Sequence, residues 1–389
     1  MVQMAKRVAG FGTTIFSEIN ALAAQHNAVN LGQGKPDFDG PNAILKAASA
    51  ALMDGLHNQY AHGLGIPTLR KAIAEHERTF YGLELDPDHQ VVITVGATEG
   101  VFAAILGLVD AGDEVIIFEP FYDSYVPNIL MAGAIPRYVP LHPPTWSFNE
   151  SDLRAAFSEK TRAIILNSPH NPSGKVFSLS ELQLIANLCQ EFDVIAITDE
   201  VYEHIIFDEV KHIPLITLPN MAERTVKISS LGKTFSVTGW KIGWAVGPTE
   251  LITGVQRARQ FITFSVAHPL QAGAVAALKM PLSYYDDLRQ MYQSKRDQLV
   301  EMLNRAGLKA SVPQGSYFVM ADFSEIFGGD DVAFARWLIK EVGVACIPPS
   351  FFYSPEHRHI VAKQARFAFC KSDIVLEAAQ SQLLKLQST

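Results

Sequence analysis

The chain has 389 residues, of which 48% are hydrophobic and 19% are charged, so it is long and apolar enough for one large core and a second, smaller one. Its 32 lysines and arginines against 40 aspartates and glutamates give a net charge of −8, which argues against binding to nucleic acid or to an anionic membrane surface. Its apolar runs are far shorter than the ~18 residues of a membrane span, and the N-terminal residues lack the apolar core of a signal sequence.

The three cysteines, Cys189, Cys346 and Cys370, lie far apart in the chain and do not show the spacing of a metal site. Isolated cysteines of this kind are typical of free thiols in a reducing compartment. The sequence therefore predicts a cytoplasmic protein without a metal centre.

The N-terminal region predicts an arm, a helix and a tight turn. Ile15, Ile19 and Leu22 recur at helical spacing, which predicts a helix from about Thr14 to Gln25. The segment Gly32 to Pro36 then contains two glycines and a proline, so its backbone bends tightly or lies close against another group. A plain turn after a short strand accounts for these residues equally well.

Short apolar strands and helices then alternate along the chain. Helices are predicted at Asn42–Gly55, at Ile66–Tyr81, after the turn Gly96–Gly100 and through Leu108, and at Ser180–Phe192. Strands are predicted at Val91–Val95, Glu114–Glu119, Ala163–Asn167, Val194–Thr198 and Thr225–Ile228. This alternation predicts a parallel sheet with helices on both faces, which binds ligands at the carboxyl ends of its strands.

Residues suited to ligand binding follow the first two of these strands. Gly96, Ala97 and Thr98 form a small-residue turn at the start of a helix, where free backbone N–H groups can bind an anion. Close packing explains small residues at this position equally well. Tyr122 lies in a run of aromatic residues that is typical either of a core or of a platform for a planar ring.

Three further polar side chains stand at or within later strands. Two prolines bracket Asn171 and restrict its backbone, so its amide group has a fixed direction. Asp199 directly follows a buried strand, where a carboxylate is costly unless it is paired. Arg366 is either a solvated edge residue or a fork for a substrate carboxylate.

Lys233 is predicted to lie in a loop after the strand Thr225–Ile228. A lone lysine is most often a surface charge, but Ser229 and Ser230 precede this one and Lys241 follows it. A neighbouring cation lowers the pKa of the Lys233 amine and leaves it nucleophilic, which suits the binding of a phosphorylated carbonyl compound as an imine. Pyridoxal phosphate is the commonest such cofactor.

Helical patterns continue to about Ala306, and shorter strands follow. These strands are predicted at Ala310–Val312, Ser316–Ala321, Val344–Ile347 and Ala365–Phe369. They predict a second, α+β unit that packs against the N-terminal arm.

Four motifs, taken together and in this order, resemble those of the class I aminotransferases, which are pyridoxal-phosphate enzymes of fold type I. The motifs are Asn171-Pro172-Ser173-Gly174, Asp199-Glu200-Val201-Tyr202, Ser230-Leu231-Gly232-Lys233 and Ala365-Arg366-Phe367. The resemblance covers nearly the whole chain. Within the family, three segments are similar to the branch of kynurenine aminotransferase and glutamine transaminase K, namely Leu31–Gly34, Asn58–Tyr60 and Glu119–Tyr125. Gly12–Phe16 is similar to the bacterial methionine aminotransferases.

The resemblance implies a large α/β domain, with a doubly wound, mostly parallel sheet of the seven-stranded type, and a smaller α+β domain. It places the N-terminal arm and part of the small domain in residues 1–45, the large cofactor-binding domain in residues 46–285, and the rest of the small domain in residues 286–389. It also implies a homodimer with shared active sites that acts on an amino acid and a 2-oxo acid.

The resemblance further assigns a role to each candidate residue. Lys233 would bind the cofactor as an imine and then move the substrate α-proton, while Asp199 would keep the pyridine nitrogen protonated. The other cofactor contacts implied are Tyr202 and Asn171 at the ring oxygen, Tyr122 stacked on the ring, Gly96, Ala97, Thr98, Ser230 and Lys241 at the phosphate, and Tyr60 at the phosphate of the other subunit. The substrate contacts implied are Arg366, Asn171 and the backbone of Gly34 at the α-carboxylate, with Phe16 and Phe264 beside the side chain.

Two positions depart from the family pattern. Lys35 replaces an aromatic residue and makes the pocket mouth more cationic, and Lys241 replaces the arginine of other branches with a point charge. The segments expected to line the side-chain pocket are nevertheless neutral and largely aromatic: Gly12–Phe16, Tyr122 and the partner subunit's Phe261–Val266. Such a pocket favours methionine, phenylalanine, tyrosine, kynurenine or glutamine over a dicarboxylic donor.

Two other functions are compatible with parts of this pattern. Carbon–sulfur β-lyases that cleave cysteine conjugates share the four motifs, so the sequence does not separate a lyase from a transaminase. A pyridoxal-phosphate-sensing module of a transcription regulator needs an attached DNA-binding domain, and the residues before the first motifs are too few and not basic.

Overall fold

A seven-stranded sheet forms the centre of the protein in the computed structural model, which describes residues 4–388. In spatial order its strands are Val91–Val95, Ile242–Val246, Thr225–Ser230, Ile195–Asp199, Thr161–Asn167, Glu114–Glu119 and Ile135–Pro140. Ile242–Val246 is antiparallel to both of its neighbours, and the remaining strands all run in one direction. The prediction of a doubly wound, mostly parallel α/β sheet is therefore confirmed.

Helices cover both faces of this sheet. The α-helices are Lys6–Ala9, Ile15–Gln25, Asn42–Met53, Pro67–Tyr81, Gly96–Leu108, Tyr125–Met131, Glu150–Ala156, Leu179–Glu191, Leu231–Thr234, Thr249–Ile262, His268–Leu278, Leu282–Arg305, Asp331–Trp337 and Asp373–Leu383. Successive strand residues such as Ile116 and Ile117 point into different cores on opposite faces of the sheet. Burial on both faces explains why these strands read as continuous apolar runs. Across residues 4–388, no helix combines the length and apolar character needed to cross a membrane.

The C-terminal part of the chain forms two smaller sheets. Lys309–Ala310, Phe318–Asp322 and Gln364–Ala368 make an antiparallel sheet. Val29–Asn30 from the N-terminal arm pairs in parallel with Val344–Ala345, so the arm packs against the C-terminal part. The strand predicted at Ala310–Val312 ends instead at Ala310, because Pro313 follows closely and has no N–H group to donate. The division into domains at residues 45 and 285 stays a prediction.

The strand that leads to Lys233 is longer than its sequence suggests. It extends to Ser230, and Lys233 lies in the helical turn Leu231–Thr234 rather than in the predicted loop. The reason is that Ser229 and Ser230 pair with the antiparallel strand Ile242–Val246, a partner that the local pattern does not reveal. The backbone just before Lys233 is therefore fixed by hydrogen bonds to the strand Ile242–Val246.

Candidate active site

An open cavity of about 110 Å³ lies at the carboxyl ends of the parallel strands. All of the predicted cofactor-binding residues except Tyr60 line this cavity, namely Gly96, Ala97, Thr98, Tyr122, Asn171, Asp199, Tyr202, Ser230, Lys233 and Lys241. The remaining lining residues were not singled out from the sequence, and they include Ser124, Tyr125, Asn167, Thr238 and Ile242. Segments far apart in the chain thus meet at the edge where such sheets bind ligands.

One end of the cavity is a binding site for an anion. The helix Gly96–Leu108 points its N-terminus at the cavity, and the N–H groups of Ala97 and Thr98 have no acceptor among residues 4–388. The Lys241 ammonium donates to Thr98 Oγ1 at 3.3 Å. Gly96 has φ +68°, and a Cβ atom there would lie only 3.2 Å from Lys241 Nζ. Free N–H groups, the helix dipole and a cation together suit a phosphate group.

Gly243 makes this anion site possible, although the sequence analysis did not single it out. A Cβ atom at Gly243 would lie 2.6 Å from the Gly96 carbonyl carbon and 2.8 Å from the Ala97 nitrogen. A larger residue would therefore push the helix N-terminus away from the strand. The isolated glycine within an apolar strand is the local signal of such a close approach.

Asp199 lies buried in the lining of the same cavity. Its Oδ2 accepts a hydrogen bond from the Tyr125 hydroxyl at 2.7 Å, and its Oδ1 accepts from the Val201 N–H at 3.4 Å. Burial raises the pKa of this carboxyl, and the bond from Tyr125 and the charge of Lys233 oppose that rise. Tyr125 thus supplies the partner that a buried carboxylate requires. The sequence placed Tyr125 in an aromatic run but showed nothing of its pairing with Asp199.

Lys233 lies in the same lining, close enough to Asp199 and Lys241 for both charges to act on its amine. Its Nζ is 5.6 Å from the centroid of the Tyr202 ring and 5.5 Å from that of the Tyr317 ring. Burial lowers the pKa of this amine to about 8, with Lys241 and Arg366 adding to the effect and Cys370 and Asp199 opposing it. The predicted influence of Lys241 is present, but desolvation is the larger cause. About a tenth of the amine is therefore neutral and nucleophilic at pH 7, against far less than 1% for a lysine of ordinary pKa.

Arg366 forms a second binding group next to the cavity. Its guanidinium donates to Asn171 Oδ1 at 3.1 Å and to the Gly32 carbonyl at 2.8 Å, while its buried Nε has no partner among the described residues. The rings of Phe318, Phe16 and Phe352 lie 4.2, 5.1 and 5.4 Å from its central carbon. Burial lowers the pKa of Arg366 to about 10, so it remains charged at neutral pH. A desolvated guanidinium with a free donor suits a carboxylate.

Gly34 lies against the same aromatic rings. Its carbonyl accepts a hydrogen bond from the Tyr317 hydroxyl at 2.7 Å, and its N–H has no acceptor within residues 4–388. A Cβ atom at Gly34 would collide with the Phe318 ring. The glycine is therefore required for close approach rather than for a plain turn. Phe318 and Phe352 were missed because their positions depend on contacts far along the chain.

Tyr60 and Phe264 lie outside this cavity. Both side chains are exposed, at 82% and 52%, and their rings meet edge to face with centroids 5.2 Å apart. The structure thus brings these two predicted residues to each other but not to Lys233 of the same chain.

The chain matches the class I and II aminotransferase family over residues 26–372. The chain belongs to this family. This aminotransferase is 40% identical to the methionine aminotransferase of Escherichia coli over 96% of each chain, and it is 42% identical to the kynurenine–oxoglutarate transaminase of Dictyostelium discoideum over 98% of this chain and 96% of that one. The N-succinyldiaminopimelate aminotransferase of Mycobacterium tuberculosis has a similar structure, with a TM-score of 0.95 and 44% identity over 99% of this chain and 100% of that one.

Class I aminotransferases depend on pyridoxal phosphate, and so does this enzyme. Its cavity fits that cofactor on three counts: the unoccupied N–H groups at Ala97 and Thr98 suit the phosphate, the buried Asp199 carboxylate suits the pyridine nitrogen, and the Lys233 amine suits the aldehyde. When bound, the cofactor supplies an electrophilic carbon and an electron-withdrawing ring. The Asp199 carboxylate and the Lys233 amine are both buried, and a buried charged group costs free energy unless it has a partner.

Proposed function

We propose that this aminotransferase transfers the amino group of a neutral amino acid with a thioether or aromatic side chain to a 2-oxo acid. The donors we expect are methionine, phenylalanine, tyrosine and kynurenine, with glutamine also accepted. The observation that carries the proposal is the single cavity in which the predicted lysine, aspartate and anion site meet beside Arg366. Substrate names of the relatives agree in part, since they include methionine and kynurenine.

The proposed roles follow from the contacts of each side chain. Lys233, whose amine is partly neutral, attaches the cofactor and then carries the α-proton of the substrate. Asp199, held by Tyr125, keeps the pyridine nitrogen protonated. Asn171 and Tyr202 bind the ring oxygen, and Tyr122 stacks on the ring face.

The two binding ends have separate roles in the proposal. Lys241 and Ser230 complete the phosphate site at the helix N-terminus. Arg366, with its free Nε, and the Gly34 N–H bind the substrate α-carboxylate. Because Arg366 is committed to this group, a second carboxylate needs another cation.

The surroundings of Arg366 support a neutral substrate side chain. The rings of Phe16 and Phe352 lie beside the guanidinium, tilted by 32° to each other with centroids 5.7 Å apart. The half-buried carboxylate of Asp123 lies close enough to oppose the lowering of the Arg366 pKa by burial and to add to the rise that burial causes in the Tyr122 pKa. An aromatic wall attracts sulfur and rings, whereas a negative charge nearby disfavours a second carboxylate.

We further propose that two copies of the chain form a homodimer with shared active sites. Tyr60 and Phe264 are exposed and in ring contact, and the apolar side chains of Leu52, Met53, Leu56 and Phe261, near them in sequence, are exposed as well. Exposed apolar side chains in such number are typical of a protein interface. In this arrangement Tyr60 reaches the partner's phosphate site and Phe264 the partner's side-chain pocket. The three buried free cysteines support a cytoplasmic location.

A panel of amino donors tests the substrate proposal. The purified, cofactor-loaded enzyme is mixed with each donor and a 2-oxo acid, and kcat/KM is measured for methionine, phenylalanine, kynurenine, aspartate, glutamate and N-succinyldiaminopimelate. Because one pocket contact changes discrimination by about 1 to 3 kcal/mol, a neutral donor should exceed aspartate by at least ~10-fold. An acidic donor in first place contradicts the proposal.

If an acidic donor has the highest kcat/KM, Lys35 is the residue to substitute. Its side chain is exposed and it directly follows Gly34, so its ammonium group could pair with an acidic side chain of a donor bound beside Gly34. Lys35→Met should then lower kcat/KM for the acidic donors and leave the neutral donors unchanged. Release of pyruvate from cysteine conjugates without an amino acceptor distinguishes a β-lyase from the proposed transaminase.

A further inference from the structure

We propose that Lys371 is a positioning residue that aims the N–H group of Gly34 at the substrate α-carboxylate. The inference rests on the proposed role of Gly34 and Arg366 in binding that carboxylate. Lys371 lies just after the strand that carries Arg366, and neither its position nor its type suggested a function from the sequence.

The Lys371 ammonium is buried and holds two backbone carbonyls of the glycine-containing segment. It donates to the Gln33 carbonyl and to the Lys35 carbonyl, each at 2.9 Å. These two carbonyls stand on either side of Gly34. Lys371 therefore fixes the Gln33–Gly34 peptide directly, and it also holds the Lys35–Pro36 peptide, one unit further along the chain.

The Gln33–Gly34 peptide links the hydrogen bond from Lys371 to the proposed substrate site. The carbonyl of Gln33 and the N–H of Gly34 belong to the same planar, trans peptide, in which they point in opposite directions. When Lys371 holds the Gln33 carbonyl, the Gly34 N–H is turned away from Lys371. That N–H has no acceptor among residues 4–388, so it is available to an oxygen of the substrate.

Other contacts complete the alignment of this segment. Arg366 binds the Gly32 carbonyl, and the Tyr317 hydroxyl binds the Gly34 carbonyl at 2.7 Å. The carbonyls of residues 32 to 35 are thus all engaged, while one N–H remains open. Engaged carbonyls beside a free donor are what a preorganised carboxylate site requires.

The charge of Lys371 has no carboxylate within ion-pair distance among the described residues. A buried cation that is solvated only by carbonyls is costly, and an arriving carboxylate offsets part of that cost. Lys371 therefore acts on the substrate both through Gly34 and through its own field. Both effects concern the α-carboxylate and are independent of the substrate side chain.

The test uses the cofactor-loaded enzyme with Lys371→Met, which keeps the chain length but removes the donors, and Lys371→Arg, which restores charged donors. We expect Lys371→Met to raise KM for the amino donor and the 2-oxo acid, and Kd for 3-phenylpropionate, by ~10-fold or more, the effect of losing one hydrogen bond to a charged group. The kcat value should stay within ~3-fold of the parent, and the visible absorbance of the bound cofactor should be unchanged. Lys371→Arg should recover most of the lost affinity.

A matched control is Ser372→Ala, which removes the hydroxyl bond to Asp37 at 3.2 Å but leaves the carbonyls of residues 33 and 35 untouched. It should leave KM unchanged. Equal losses of kcat and affinity with reduced cofactor content in Lys371→Met, or unchanged KM and Kd, would each overturn the inference. If Lys371→Met does not fold, Lys371→Gln, which keeps one amide donor, is measured in the same way against Lys371→Arg.

The same experiment separates this inference from the proposed substrate. The KM increase should be equal for methionine and for aspartate, because both carry the α-carboxylate. A parent enzyme that prefers aspartate would contradict the proposed donor class and leave the Lys371 comparison intact. An increase confined to one side-chain class would contradict the role of Lys371 instead.

Discussion

Replacing Lys227 by methionine is expected to destabilise the fold strongly, because Lys227 is the cation of a fully buried ionic cluster. Its ammonium donates to Glu77 Oε1 at 2.6 Å and to Glu203 Oε2 at 2.7 Å, and none of the three side chains is exposed by more than 2%. Glu203 also accepts a hydrogen bond from Ser229, next to Ser230 of the anion site. The cluster thus stabilises the strand Thr225–Ser230, which leads to Lys233.

The loss of unfolding free energy in Lys227→Met follows from the two buried glutamates that the substitution leaves without a cation. Methionine fills most of the volume of lysine, but Glu77 and Glu203 are left buried without their cation. Breaking a buried ion pair on one side costs about 3 to 5 kcal/mol. With an unfolding entropy of about 2.1 cal/mol/K per residue, a loss of about 4 kcal/mol lowers Tm by about 5 °C in a chain of this length.

The pH dependence gives a sharper test than Tm alone. Burial raises the pKa of Glu77, while Lys227, helped by His204 and His76, holds the pKa of Glu203 below its usual value against burial. Without Lys227 both folded-state pKa values rise above those of the unfolded chain. Folded protein then binds more protons than unfolded protein, so the stability of the variant falls as pH rises. The stability loss should be larger at pH 8 than at pH 5.

The assay is urea or thermal unfolding of the parent, Lys227→Met and the double variant Lys227→Met/Glu77→Gln at both pH values. The double variant should recover part of the loss, since it removes one unpaired charge. Lys309→Met is the matched control, because the ion pair of Lys309 with Glu325 is exposed, and its Tm should not change. A Tm for Lys227→Met within 1 °C of the parent, as a rough limit, refutes the reasoning.

Further predictions concern the active site. Lys233→Ala should abolish the visible absorbance of covalently held cofactor and lower turnover by orders of magnitude, with phosphate-mediated cofactor binding retained; normal turnover would refute the assignment. In the parent, the rate of covalent cofactor loading should rise with pH through a midpoint near the lowered Lys233 pKa of about 8, and a midpoint near 10.5, the usual lysine value, would contradict it. Asp199→Asn keeps the size of the side chain but removes its charge, so kcat should fall by ~100-fold or more in steady-state assays; a change of a few-fold places the role elsewhere. Mixing inactive Lys233→Ala chains with inactive Tyr60→Ala chains should restore some activity if sites are shared, whereas a fully active monomer in sedimentation excludes sharing.

Local sequence patterns predicted the central sheet well. Strands such as Val91–Val95 and Glu114–Glu119 were located to the residue, because strands buried on both faces are recognisable from their own composition. The candidate residues at the strand ends could also be predicted, since turns that bind phosphate or hold a lysine require particular residue types at short spacing.

Contacts between distant segments were decided only by the tertiary structure. Tyr125 and Asp199 are separated by 74 positions, Arg366 and Asn171 by 195, and Lys371 and Gln33 by 338. The same holds for Ser229 and Ser230, which belong to a strand because an antiparallel neighbour pairs with them. A local pattern records the preferences of a residue for helix, strand or burial, whereas the partner of a buried polar group is chosen by packing across the whole chain. The sequence by itself singled out Lys233, Asp199 and the turn at Gly96, which line the cavity, whereas the fold decided that Tyr60 lies outside it and that Tyr125, Phe318, Phe352 and Lys371 support the site.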